Sequence, residues 1–132
     1  MKISVDTNVL VRAAIQDDKH QAQQATKILQ DAVFVAVSLP VLCEFAWVLS
    51  RGYKKSNAAI SIAIRDLMNA AHVAMNRPAV EAGLAILEAG GDFADGVIAY
   101  EGEWLGAEEF VSFDKKAISI LQSQGKKSRL LK

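Results

Sequence analysis

The sequence predicts an α/β fold in which a parallel sheet of four to five strands is flanked by helices on both faces. Short β-branched or aromatic runs alternate with longer segments of helical periodicity. Right-handed crossovers between parallel strands then place the helices over the sheet. The chain has 132 residues, 52% of them hydrophobic, and no repeat or Pro/Gly/Ser linker divides it. We therefore expect a single domain over residues 1–132.

The predicted strands are short and apolar. The first spans Ile3–Val5 and is followed by Asp-Thr-Asn, so Asp6 lies in a turn or at the start of a helix. The later strands are predicted at Val33–Val37, His72–Met75 and Glu109–Phe113, with a short final strand at Ser128–Leu131.

The predicted helices rest on apolar stripes and on end signals. Ser38 is a suitable N-cap for the second helix, Pro40 is tolerated in its first turn, and Gly52 ends it. The helices are predicted at Asp17–Gln30, Leu39–Gly52, Asn57–Ala70, Pro78–Ala89, Asp92–Gly106 and Lys115–Gln124.

Charge is balanced in total but uneven along the chain. Fifteen acidic and fifteen basic residues give a net charge of zero, so no global basic field indicates a nucleic-acid partner. Nine acids and no Lys or Arg lie between Pro78 and Asp114, whereas six basic residues and no acid lie between Lys115 and Lys132. A negative site with a positive rim suits a metal-dependent enzyme acting on a polyanion, although surface helices also produce such patterns. The candidate RNA-backbone contacts are Lys115, Lys116, Lys126, Lys127 and Arg129, with a solvated helix and tail as the alternative.

Cysteine and histidine offer no metal site. Cys43 is the only cysteine, and His20 and His72 have no companion at ligand spacing. No apolar run approaches the length of a signal core or a membrane span, so we expect a cytoplasmic protein with no membrane partner.

Four acids are flanked by apolar sequence, at Asp6, Glu44, Asp95 and Asp114. Asp6 and Asp114 each follow a predicted strand, and the carboxyl ends of parallel strands are where ligands gather. The alternative is that each caps the following helix.

Glu44 and the Asp92/Asp95 pair are placed by helix patterns. The helical neighbours of Glu44 are non-ionisable, so a carboxylate buried there must be paired or coordinated, unless the helix simply exposes it. Asp92 and Asp95 share one face of a helix start, where Asp92 is also a natural N-cap. Asp95 lies near the positive end of that helix, which keeps it charged and available to a cation.

Together these residues resemble a known family. Asp-Thr-Asn after the first strand, Glu44 in Val-Leu-Cys-Glu-Phe, Asp-Phe-Ala-Asp and Ser-Phe-Asp are similar in order to the PIN domain, and more specifically to VapC toxins of bacterial toxin–antitoxin pairs. The resemblance covers essentially the whole chain and implies an α/β/α sandwich. Gly96 departs from the helix formers that many relatives carry, and we expect it to loosen its turn by under about 1 kcal/mol.

The resemblance implies a function and a set of site residues. It implies a Mg²⁺- or Mn²⁺-dependent endoribonuclease that hydrolyses RNA phosphodiester bonds and is inhibited by a cognate VapB-like antitoxin. It also implies a homodimer. Catalytic and metal-binding acids are implied at Asp6, Glu44, Asp95 and Asp114, with Asp92 as a secondary metal ligand and Thr7, Asn8 and Ser112 as supporting residues. Oxygen ligands without His or Cys select those same ions.

The alternatives to this function are a phosphoaspartyl hydrolase, a signalling receiver and an inactive binding module. A phosphoaspartyl hydrolase usually has Asp-x-Asp after its first strand, where this chain has Asp6-Thr7-Asn8. A signalling receiver needs an acceptor Asp after a central strand, and residues 72–76 supply none. A catalytically inactive PIN-like binding module stays open, and metal-dependent cleavage of RNA would exclude it.

Overall fold

The computed structural model describes all residues from 1 to 132. The chain forms two compact units, Met1–Asn76 and Arg77–Lys132.

The first unit contains a three-stranded parallel sheet. Its strands are β1 (Lys2–Ser4), β2 (Phe34–Ala36) and β3 (Val73–Ala74), in the order β1-β2-β3. Val35 in the central strand lies opposite Ile3 on one side and Val73 on the other, and it is fully buried. The helices of this unit are α1 (Thr7–Ala14), α2 (Lys19–Asp31), α3 (Leu39–Arg51) and α4 (Asn57–Asn69).

The second unit combines three helices with a two-stranded sheet. The helices are α5 (Arg77–Glu88), α6 (Phe93–Trp104) and α7 (Lys115–Ser123), and the strands are β4 (Phe110–Ser112) and β5 (Ser128–Leu130). The two strands are parallel, with Val111 opposite Arg129. Ile86, Ile120 and Leu121 form a buried cluster against which Phe110 packs. Strand β4 is thereby fixed to the helices, and the segment after it has a defined position.

The α/β class is confirmed, and every predicted helix and strand is present with ends within about two residues of the expected ones. Helix α1 had no predicted range, because the sequence left Asp6 between a turn and a helix start. The five strands pair in two ladders and not in one continuous sheet. Apolar runs predict that a strand exists, but they do not predict which strand it pairs with. That residues 1–132 act as one domain stays a prediction. None of the seven helices combines the length and the apolarity needed to cross a bilayer.

Two glycines allow α5 and α6 to approach closely. A Cβ on Gly96 would collide with the carbonyl oxygen of Ala82 and lie 2.7 Å from the Cα of Gly83. A Cβ on Gly83 would lie 2.6 Å from the ring of Phe93, the buried first residue of α6. The sequence suggested only that Gly96 loosens its turn. In the structure Gly96 is also the residue that permits this helix contact.

Candidate metal centre

Three carboxylates meet in the second unit. Asp92, Asp95 and Asp114 each present an oxygen atom, and these three atoms lie within 4.8 Å of one another. Two of the residues come from the start of α6, and the third lies between β4 and α7. Acids separated by up to 22 positions in the sequence therefore share one small volume, which is an arrangement suited to a cation.

The turn before α6 sets the positions of Asp92 and Asp95. Helix α5 ends in a turn in which Gly90 has a φ of +101°, and the N–H of Gly91 donates to the carbonyl of Ile86 at 2.9 Å. The αL conformation is one that glycine adopts without steric cost, so the Gly-Gly pair stops α5 and leads directly into Asp92. Asp92 occupies the N-cap position of α6, but its side chain makes no capping hydrogen bond. Its carboxylate is consequently not committed to the helix end.

Asp114 has both of the roles that the sequence left open. Its Oδ1 accepts hydrogen bonds from the backbone N–H groups of Lys116 at 3.0 Å and Ala117 at 3.1 Å, so it caps α7. Its own N–H donates to the Oγ of Ser112 at 3.0 Å. Because both capping bonds use Oδ1, Oδ2 is left for a ligand. Ser112, predicted as a supporting residue, thus holds the backbone of Asp114.

Repulsion among the three acids is uncompensated. The pKa of Asp95 is raised, first because the half-buried group is desolvated and then because Asp92 and Asp114 place negative charge beside it. No Lys or Arg forms an ion pair with any of the three, whereas Glu103 and Glu109 in the same unit pair with Lys126 and Arg129. A divalent cation would relieve the repulsion, and an all-carboxylate donor set fits Mg²⁺ or Mn²⁺.

The remaining predicted acids lie in the first unit. Asp6 is the N-cap of α1, where it accepts a hydrogen bond from the N–H of Val9 at 3.3 Å. Thr7 is buried, while Asn8 is exposed. Strands β1 and β2 are parallel, so Asp6 and the start of α3 follow strands that end at the same edge of the sheet.

Of the two alternatives that the sequence left for Glu44, buried or exposed, the structure shows the exposed one. Glu44 lies in the second turn of α3 and is exposed, and Trp47, one turn further on, is 63% exposed. The apolar neighbours of Glu44 in the sequence do not bury it, because Pro40 and Trp47 face solvent as well. No Lys or Arg forms an ion pair with Glu44, so its carboxylate is available to a ligand.

Of the five predicted acids, three are thus brought together within one unit. Asp92, which the sequence gave as a secondary metal ligand, lies in this group together with Asp95 and Asp114. That Asp6 and Glu44 belong to the same site as these three stays a prediction.

One concavity of the second unit lies apart from this site. It is a cavity of about 740 Å³ near the opposite ends of α6 and β4, lined by residues that include Glu81, Tyr100 and Lys126. None of the clustered acids lines it. The acidic cluster is therefore distinct from this cavity, and two of its three residues are exposed.

The sequence also missed the residues that position α6. Gly83 and Gly96 touch no ligand, yet their close contacts decide where Asp92 and Asp95 lie. The signal available in the sequence was small residues on both helices, in Ala-Gly-Leu-Ala and Asp-Gly-Val. Spacing alone did not show that they face each other.

Comparison with known proteins identifies the family of the chain. No individually curated protein matches the chain significantly. A family model of the PIN domain matches residues 3–120, nearly the whole sequence, and PIN domains are generally metal-dependent nucleases. The matched range contains all five acids, including the three that meet at the start of α6 and of α7. This chain belongs to the PIN-domain family.

Proposed function

We propose that this protein is a metal-dependent endoribonuclease of the VapC-like toxin type. The observation that carries the proposal is the group of three unpaired carboxylates, Asp92, Asp95 and Asp114, in a chain of the PIN family. Their repulsion would be costly to maintain in a protein that bound no cation, since each charge raises the free energy of the others. Proteins of this family act on nucleic acids, which makes a phosphodiester the expected substrate.

The acidic residues are the proposed metal ligands and catalytic groups. Asp92, Asp95 and the free oxygen of Asp114 would hold Mg²⁺ or Mn²⁺, and Ser112 keeps Asp114 in place. When bound, such an ion supplies Lewis acidity toward the phosphodiester and toward the attacking water. Hydrolysis by water in line with the leaving oxygen gives a 5′-phosphate and a 3′-hydroxyl and needs no covalent enzyme intermediate. Asp6 and Glu44 are proposed as further catalytic acids, with Thr7 and Asn8 in support of Asp6.

The partners belong to the same proposal. The substrate is RNA, and a cognate VapB-like antitoxin inhibits the enzyme by occupying its groove. We further propose that the protein is a homodimer and acts in the cytoplasm. These assignments rest on the family resemblance and on the basic segment from Lys115 onward, which supplies charge for a polyanion.

Cleavage of RNA by the purified protein tests the function. We expect cleavage with Mn²⁺ or Mg²⁺ that EDTA abolishes and that Asp95→Asn and Asp6→Asn both lose. Glu101→Gln is the matched control, because it removes one exposed charge from the same helix and should leave cleavage unchanged.

Mapping of RNA ends after brief expression identifies the target. Discrete ends with 5′-phosphates that are absent from both Asp→Asn variants would give the substrate and the cleavage position together. If wild-type protein gives no cleavage above the Asp6→Asn control on diverse RNAs, the chain is instead an inactive PIN-like binding module.

A further inference from the structure

Phe113 is an exposed aromatic residue beside the acidic cluster. It is 70% exposed, whereas Phe45 and Phe93 are 1% and 2% exposed. Phe110, three residues earlier, packs on the buried cluster of the second unit. Alternation along the extended segment thus turns Phe110 inward and leaves Phe113 in solvent. A phenyl ring in water contributes little to stability, so Phe113 is available for contact with a ligand.

The backbone around Phe113 is held by hydrogen bonds on both sides. The N–H of Asp114 donates to Ser112, and the carboxylate of Asp114 accepts from the N–H groups of Lys116 and Ala117. The ring is therefore displayed on a fixed turn and not on a flexible loop. Fixing the turn in advance lowers the entropy that a ligand must overcome to stack on the ring.

The residues next to Phe113 match the parts of a nucleotide. Asp114 belongs to the acidic cluster, and Lys115 and Lys116 are exposed and form no ion pair with an acid. The Lys116 side chain runs toward the turn before Asp92, since its Nζ lies 3.9 Å from the position of a Cβ on Gly90. An aromatic ring, a cation-binding carboxylate and two ammonium groups thus follow one another over residues 113–116. Bases stack on aromatic rings and phosphates pair with lysines in proteins that bind single strands.

We propose that Phe113 stacks on a nucleobase of single-stranded RNA next to the phosphodiester cleaved at the acidic cluster. The inference rests on the proposed function and adds a positioning residue to it. The base must be unpaired, because only then is one of its faces free for the ring. Phe113 is a positioning and specificity residue, and the acids carry the chemistry.

A double-mutant cycle between Phe113 and the base tests this contact. Phe113→Leu keeps an apolar side chain and removes the ring, while RNAs with single abasic sites around the mapped cleavage point remove each base in turn. We expect Phe113→Leu to raise KM by between about 5-fold and about 150-fold with kcat little changed, the range for one base–aromatic stack. One abasic position should raise the KM of wild type by the same factor and that of Phe113→Leu no further.

Two variants control for the loss of an exposed aromatic residue. Phe113→Trp retains a stacking surface and should keep a KM near that of wild type. Trp104→Leu removes an aromatic residue that is 75% exposed at the far end of α6 and should leave KM and base preference unchanged. Thermal unfolding of all three variants should match wild type, because none of these side chains is buried.

A second measurement needs no cleavage. Stacking quenches 2-aminopurine fluorescence, so we expect wild-type protein to quench single-stranded RNA labelled at the stacked position and Phe113→Leu not to. Such quenching would support the contact even if wild type cleaved no RNA. Absence of cleavage would then reject the proposed nuclease activity but not the stacking contact. Conversely, cleavage with unchanged KM and base preference in Phe113→Leu would overturn the stacking contact and leave the nuclease standing. A changed oligomeric state with unchanged RNA binding would assign Phe113 to a protein interface, which also overturns the proposal.

Discussion

Replacing Asp95 with Asn should make the metal-free protein more stable near neutral pH. Taken at 4.8 Å, two unit charges repel by about 0.9 kcal/mol in bulk water and by about 3.5 kcal/mol at an effective dielectric constant of about 20. Asp92 and Asp114 are exposed, which favours the lower figure, so two such pairs give about 2 kcal/mol. The α6 N-terminus opposes this by stabilising the Asp95 carboxylate by about 0.3–1 kcal/mol. The net expected gain for Asp95→Asn is about 1 kcal/mol.

The pH dependence of that gain has a definite sign. The pKa of Asp95 in the folded protein is raised above its unfolded value of about 3.9. Below the unfolded pKa, wild type carries no charge at Asp95 and loses no stability there. As pH rises through the folded pKa, Asp95 becomes charged, so the cost of its desolvation and the repulsion from Asp92 and Asp114 appear and wild type loses stability relative to the variant. The difference between the two proteins should therefore grow from pH 4 toward neutral and then stay constant.

Urea unfolding in EDTA, repeated across that pH range, measures the difference. Glu101→Gln is the control and should stay within about 0.5 kcal/mol of wild type. Adding Mg²⁺ at ten times its dissociation constant should stabilise wild type by about 1.4 kcal/mol and Asp95→Asn by less. If Asp95→Asn is no more stable than wild type in EDTA, or if Mg²⁺ stabilises both equally, the three acids do not form a cation site.

Three further predictions separate packing, capping and phosphate binding. Gly96→Ala should destabilise the protein by about 1–3 kcal/mol in urea unfolding, because its Cβ would strike α5. Gly102→Ala is the control in the same helix: its Cβ meets nothing within 4 Å, so the variant should be more stable by about 0.5–1 kcal/mol. Asp114→Asn and Asp114→Ala should both lose cleavage, but only the Ala variant should lose about 1 kcal/mol of stability, since Asn still caps α7. Lys116→Gln should weaken RNA binding and reduce the slope of log K against log salt by about 0.7, the single-strand value for one phosphate contact, with Lys19→Gln as the control.

The sequence predicted the elements well because their signals are local. Gly90-Gly91 ends one helix and Asp92 begins another through backbone preferences that neighbouring residues do not change. Asp114 was predicted at the end of a strand for the same reason. Strand pairing was not predicted, because it depends on contacts between residues far apart in sequence.

What the sequence left open at the candidate site has a common physical origin. It did not decide whether Glu44 is buried or exposed, because an apolar neighbour such as Trp47 can remain in solvent. It gave Asp92 as a secondary metal ligand that is also a natural N-cap, and the structure shows that the carboxylate makes no capping hydrogen bond. Gly96 was judged by helix propensity, which does not record the neighbouring helix. In each case the sequence indicated the residue's chemistry but not what surrounds it.

The contact between α5 and α6 has a consequence for genetics. A methyl group on Gly83 would displace the Phe93 ring, which lies between Asp92 and Asp95 in sequence, and so would move two carboxylates that the glycine never touches. If expression of the protein is toxic, a selection for surviving cells should therefore recover substitutions at Gly83 and Gly96 alongside those at the acids. A smaller side chain at Phe93 would restore activity in part to a Gly83 variant, because the Gly83 contact is with that ring. The Gly96 contact is with the backbone of α5, so a Gly96 variant, like a variant of the acids, has no such second-site change.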